Sequence, residues 1–257
     1  VSAKNSDLGK RLVVAVILIA VSFAALWFGG LVFWLLVAVG GLLMMGEWAD
    51  LAGATLKQKR LAQYAITVPL AIMAPGLAAG PGFLALGLIF AACFFLGAAV
   101  RKPQLALGAL YVGLPVLGLL ALREQSNGFL LTLWAMALVW TSDTAAYFAG
   151  RAIGGAKLAP AISPNKTWAG FFGGLVGAGV FAAILAAGFG LPLILALCTP
   201  LLAMLSQLGD LYESHLKRRA GVKDSGSLLP GHGGVLDRLD GLVAVAPVAA
   251  ALVLAFA

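Results

Sequence analysis

The sequence predicts an all-α, polytopic membrane protein with about nine transmembrane helices and a cytoplasmic N-terminus. Three observations predict it. Of 257 residues, 62% are hydrophobic and 11% charged, where a soluble domain carries about 25% charged residues. The apolar residues form repeated continuous runs near the ~20 residues that a helix needs to cross a bilayer, not the short alternating strands of a membrane β-barrel. The basic residues, finally, fall on one side of the membrane once the runs are counted off in order.

The spans are expected near 11–28, 31–49, 61–79, 83–100, 104–122, 129–149, 168–188, 191–212 and 241–257. Turn residues mark the joints: Gly29-Gly30, Gly80-Pro81-Gly82, Asn127-Gly128 and Gly190-Leu191-Pro192. The first run follows Lys10-Arg11 and continues past signal-peptide length without a small-residue cleavage site, so it reads as a span. Of the 17 Lys and Arg, all but Arg123 fall at the N-terminus or in the loops after spans 2, 4, 6 and 8. By the positive-inside rule that side is the cytoplasm. The net charge of +7 therefore reports topology and affinity for anionic headgroups or a phosphorylated ligand, and calls for no nucleic acid. Cys93 and Cys198 lie inside apolar runs and read as small core residues.

Two divisions are expected: residues 1–128 with spans 1–5, and residues 129–257 with spans 6–9 and two long cytoplasmic loops, 150–167 and 213–240. Function is expected in those loops and the span ends beside them.

The last loop lies within "SQLGDLYESHLKRRAGVKDSGSLLPGHGGVLDRLD", Ser206 to Asp240. If span 8 continues as a helix, Asp210, Ser214 and Lys217 share a face at i, i+4 and i+7. Lys217, Arg218 and Arg219 form a basic cluster, and Gly221 is placed to end the helix. "LLPGHGG" must turn sharply. Asp237 and Asp240 follow at i, i+3, on one face of a new helix start, where acids suit the positive end of the dipole. Hard cations such as Mg²⁺ take oxygen ligands and keep substrate phosphates in their shell. Asp210 and Asp237, with Asp240 close by, are candidates for holding one or two such ions, and the basic residues for holding phosphates. That is equipment for phosphoryl or nucleotidyl transfer, where catalysis is mostly positioning and charge neutralisation.

In these residues the chain resembles the CDP-diglyceride synthetases, or phosphatidate cytidylyltransferases. Their signature reads approximately S-x-x-K-R-x4-K-D-x-G/S-x2-L-P-G-H-G-G-x-x-D-R-x-D. Ser214, Lys217-Arg218, Lys223-Asp224, Leu229-Pro230-Gly231-His232-Gly233-Gly234 and Asp237-Arg238-Leu239-Asp240 stand at its positions. A second similar stretch is "SDTAAYFAGRAIGGAKLAPAISPNKTWAG", Ser142 to Gly170. Before residue 140 the resemblance rests on hydropathy and on Glu47-Trp48, where Glu47 reads as an interfacial acid more readily than as a partner for a cation or hydrogen bond.

The resemblance implies that CTP and phosphatidate give CDP-diacylglycerol and pyrophosphate, with Mg²⁺ and a monovalent cation such as K⁺. Carried over by position, Asp210 and Asp237 are the metal-binding carboxylates and Asp240 supports them. Lys223, Asp224, Arg238 and His232 complete the catalytic set, His232 orienting a carboxylate or contacting phosphate. The resemblance also suggests a homodimer, in a bacterial inner membrane with its active site toward the cytoplasm.

The earlier loop fits the same picture. Asp143 and Tyr147 stand at i, i+4 near the cytoplasmic end of span 6. "SPNKTW" reads as a helix start with Ser163 as N-cap and Pro164 at the first position. Ser163, Asn165, Lys166 and Thr167 are therefore expected at CTP or the lipid phosphate, since helix N-termini bind phosphate. Lys217, Arg218, Asp143 and Tyr147 are the other expected substrate contacts. Gly170, Gly173, Gly174, Gly177 and Gly179 in span 7 read as helix packing.

Two rival readings fit less well. The CDP-alcohol phosphotransferase pattern, D-x-x-D-G-x-x-A-R, starts at Asp237 but meets Val245 where it needs Arg, and its later acids have no place in the apolar end of the chain. A transporter would show ionisable residues near the midplane and internal repeat symmetry, whereas the acids here gather at one face.

Overall fold

The computed structural model describes residues 2–229 and 233–256, with side chains from residue 13 onward. Nine helices and one short hairpin make up the described residues: α1 (Ser2–Phe28), α2 (Gly30–Leu51), α3 (Leu56–Ile72), α4 (Phe83–Val100), α5 (Pro103–Arg123), α6 (Gly128–Ile153), β1 (Lys157–Ala159), β2 (Ser163–Thr167), α7 (Trp168–Phe189), α8 (Leu193–Arg219) and α9 (Leu236–Phe256). The chain is an all-α polytopic membrane protein. Seven of these helices, α2 and α4 to α9, are long and apolar enough to cross a bilayer.

The other two differ from an ordinary span. The apolar part of α1 is Val13–Phe28. Helix α3 starts early and ends early: the expected stretch 61–79 is a helix only to Ile72. Its start is fixed by a capping box, in which Thr55 accepts from the Gln58 amide and Gln58 accepts from the Thr55 amide. Its end is set by Pro75, which disfavours helical backbone at Ala74, and by Gly76 at φ 70. The result is 17 residues with three cations in the first turns.

The chain forms two compact units, Val1–Leu120 with Arg219–Leu239, and Ala121–Arg218 with Asp240–Ala257. The segment that carries the last loop thus belongs to the first unit. There α2 packs on α1 and α3, and α3 on α4. The Trp48 indole stacks near Tyr111, with ring centres 4.4 Å apart, and donates to the Gln104 carbonyl at 2.8 Å. This anchors the end of α2 that carries Glu47.

In the second unit α6 and α7 form the closest helix pair. A Cβ at Gly173 would overlap Ala149, one at Gly177 would overlap Ala145, and one at Gly170 would stand 2.8 Å from the Ala146 carbonyl oxygen. The glycine row of span 7 is packing: Gly170, Gly173 and Gly177 lie against α6, Gly174 against Gln207 and Ser142, and Gly179 against Pro200 of α8. Three polar side chains inside this unit find partners: Trp134 donates to Thr199 at 3.0 Å, Thr199 to the Leu195 carbonyl, and Gln207 to the Phe171 carbonyl at 3.2 Å.

The loop between α6 and α7 corrects an expectation. Ser163 does not cap a helix. Residues Ser163–Thr167 are a strand, paired antiparallel with β1 so that Lys157 faces Thr167 and Ala159 faces Ser163. The residue before a proline is pushed toward extended backbone, which places Ser163 in the strand, and Pro164 is tolerated on a two-stranded edge. Helix α7 begins four residues later, with Thr167 as its cap. The Thr167 hydroxyl accepts from the Gly170 amide at 3.1 Å.

Candidate active site

The second unit holds one group of the expected residues. Helix α8 runs to Arg219, so Asp210, Ser214 and Lys217 share a face as the spacing requires. The Ser214 hydroxyl donates to Asp210 Oδ1 at 3.3 Å. Asp210 Oδ2 forms an ion pair with Lys166, which the β1–β2 hairpin delivers. Asp143 on α6 lies within Coulombic reach of both Asp210 and Lys166. Asp240 on α9 lies within reach of Asp210, Asp143 and Lys217, and its Oδ1 accepts from the Gly241 amide at 2.7 Å. Three carboxylates and two lysines therefore share one electrostatic neighbourhood.

Lys217 is itself held. Its ammonium sits 3.1 Å from Glu213 Oε1, and the Glu213 side chain is 1% exposed. Sequence reasoning passed over Glu213. The signal was present: an acid four residues before a lysine on one helix. Tyr147 is turned elsewhere, its hydroxyl accepting from Arg151 at 2.8 Å and its ring packing edge-on against Phe148. Asn165 is exposed on β2, Ser163 is half-buried, and Arg218 is exposed at the end of α8.

The first unit holds the other group. Beyond α8 the chain turns at Gly221, with φ 71. On either side of residues 230–232, which lie outside the described residues, Leu229 donates to the Gly233 carbonyl at 2.9 Å. His232 lies outside the described residues. Lys223, Asp224 and Arg238 are exposed. Asp237 stands in the first turn of α9, as expected. Its Oδ2 accepts from the Ser225 amide at 2.8 Å, the Ser225 hydroxyl at 3.0 Å and the Gly234 amide at 2.7 Å.

Glu47 corrects the sequence reading. It is buried, and it is no simple interfacial acid. Its Oε1 accepts from the Val235 amide at 2.8 Å and its Oε2 from the Leu236 amide at 2.8 Å, while the Ser225 hydroxyl lies 3.0 Å from both Glu47 Oε2 and Asp237 Oδ2 and gives its one proton to one of them at a time. No local pattern could have shown this, because the partners are 178 to 189 positions away.

Among the described residues no three His, Cys, Asp or Glu are grouped as a ready metal cage. The donor chemistry nevertheless fits Mg²⁺, which binds through one or two carboxylates and completes its octahedron with waters and substrate phosphates. Asp143, Asp210 and Asp240 are hard oxygen donors that repel one another, and a divalent cation relieves that repulsion.

Fold and side chains together define a class: a polytopic helical membrane protein that gathers carboxylates and lysines at helix ends. The chain matches the model of the cytidylyltransferase family over residues 9–256. It is 43% identical over 255 residues to the phosphatidate cytidylyltransferase of Brucella suis biovar 1 (strain 1330), covering 94% of this chain and 91% of that one. It is 37% identical over 267 residues to the phosphatidate cytidylyltransferase of Pseudomonas aeruginosa, covering 95% and 96%. Against the phosphatidate cytidylyltransferase of Bacillus subtilis (strain 168), 46% identity extends over 147 residues, about half of each chain. This chain belongs to the cytidylyltransferase family.

Proposed function

We propose that this chain transfers the cytidylyl group of CTP to phosphatidate, giving CDP-diacylglycerol and pyrophosphate for phospholipid synthesis. One observation carries the reading: relatives named for this enzyme align with nearly the whole chain. The carboxylates and lysines of the second unit are the chemistry it needs. A phosphate oxygen of the lipid attacks the α-phosphorus of CTP in line, the bond to the β-phosphate breaks, and pyrophosphate leaves with the electron pair. The nucleophile is already an anion, so no general base is required. Lys166 and Lys217, held in place by Asp210 and Glu213, draw phosphates to the site. Arg218, Asn165 and Ser163 are the accompanying substrate contacts, and Thr167 positions them by capping α7. Asp210 and Asp240 would hold Mg²⁺, and the family resemblance assigns Asp237 to it as well; when bound, the ion would supply charge neutralisation on the transferring phosphorus and on pyrophosphate. A monovalent cation beside it, a homodimer, and the roles of Lys223, Asp224, His232, Arg238, Asp143 and Tyr147 rest on the family resemblance.

The protein is proposed to span the bacterial inner membrane with nine helices, its N-terminus and both long loops in the cytoplasm. The charge asymmetry of the loops supports this.

The test is pyrophosphate release by purified protein in detergent with CTP, phosphatidate and Mg²⁺. Release that needs both lipid and metal is expected, and in Asp237→Asn it should fall at least about 100-fold. Asn keeps the size of Asp237, so a folded variant at full activity removes Asp237 from the site. No release from folded, lipid-supplied wild type removes the reading itself.

A further inference from the structure

The geometry points to Glu47 as a positioning residue, which sets the last loop and the start of α9 and acts on Asp237 through Ser225. The functional half of this inference rests on the cytidylyl-transfer reading. The structural half stands alone.

A helix leaves its first amides without intrahelical partners. Most helices satisfy one with a Ser, Thr, Asp or Asn at the cap. Before α9 the chain has Val235, which has no side chain for the purpose. Glu47 supplies the acceptors from α2, one oxygen to the Val235 amide and the other to the Leu236 amide. The second oxygen also shares the single Ser225 hydroxyl proton with Asp237 Oδ2. Ser225, in turn, contacts Asp237 Oδ2 with both its amide and its hydroxyl. One buried carboxylate therefore fixes the helix start, and one serine couples it to a proposed metal ligand.

The loop is moulded around Glu47. A Cβ at Gly226 would stand 2.9 Å from Glu47 Oε1, and one at Gly234 would overlap its carboxylate. Hydrogen bonds to a charged acceptor are about twice as strong as neutral ones. Glutamine in its place keeps the shape but turns an NH₂ toward at least one of three donors, leaving buried donors facing each other.

The experiment compares wild type with Glu47→Gln, Ser225→Ala and the double variant, by hydrogen exchange and by steady-state kinetics. In Glu47→Gln the Val235 and Leu236 amides should exchange at least about tenfold faster. The turnover number should fall about 10- to 100-fold while KM for CTP stays within about threefold. Ser225→Ala should lower the turnover number in the same direction without raising KM, which keeps the test valid if Glu47→Gln fails to fold. The double variant should lose no more than Glu47→Gln alone, because linked residues are not additive. Wild-type exchange in Glu47→Gln, undiminished turnover, a loss appearing only in KM, or an additive double loss would each overturn the positioning role. If wild type itself shows no turnover, the cytidylyl-transfer reading fails, and exchange alone decides whether Glu47 holds the helix start.

Discussion

Lys166 and Asp210 face each other with side chains 24% and 28% exposed. The pair is sheltered enough to be specific and wet enough that its worth in stability is only about 1 kcal/mol. Its weight is therefore expected in activity. Lys166→Met should lower kcat/KM for CTP by about tenfold or more while the thermal midpoint moves by only a few degrees; an assay of pyrophosphate release beside a melting curve checks both. At this scale the sequence was informative wherever residues share a helix. Asp210, Ser214 and Lys217 were legible because the 3.6-residue period carries them onto one face. Glu213 was equally legible and was overlooked. The contact of Lys166 with Asp210 was not legible, because it joins a hairpin to a helix, and periodicity says nothing across such a gap. Glu47 was harder still: its three acceptor contacts all reach a loop far along the chain.

Elements show the same division. Each of the nine expected runs overlaps a helix, although the third is helical only to Ile72, since long apolar runs bounded by Gly and Pro leave few alternatives. The misreading came where two local rules competed. Ser163-Pro164 looks like a helix start, but strand pairing with Lys157–Ala159 takes residues 163–167 and moves the start to Trp168. The α6–α7 contact is the element-scale feature with the plainest test. Gly173 lies against Ala149 and Gly177 against Ala145, so a large side chain cannot enter without separating the helices. Gly173→Leu should destabilise the protein by about 1–3 kcal/mol, seen as a lower thermal midpoint in detergent. The same replacement at Gly188, where a Cβ meets nothing, should leave the midpoint unchanged.

For the whole molecule, the distribution of Lys and Arg makes a prediction that single residues do not. Ser227→Cys, in the last loop, should be labelled by a membrane-impermeant thiol reagent only from the cytoplasmic side, and Ser126→Cys, between α5 and α6, only from the opposite side. Cys93 and Cys198 would be replaced by Ala beforehand. Labelling of both from one side would mean an even number of crossings between them and would break the nine-span topology. The family was legible from a dense stretch of polar residues, while the division of the chain into its two units was not, because the loop 219–239 joins the N-terminal helices only after folding. The glycine seam between α6 and α7 also constrains how such a chain can change over time. Alanine, ordinarily the mildest replacement, is blocked at Gly173 by a methyl group on Ala149. Drift at position 173 is therefore expected to wait on a prior Ala149→Gly change, so that the methyl group moves across the seam from one helix to the other.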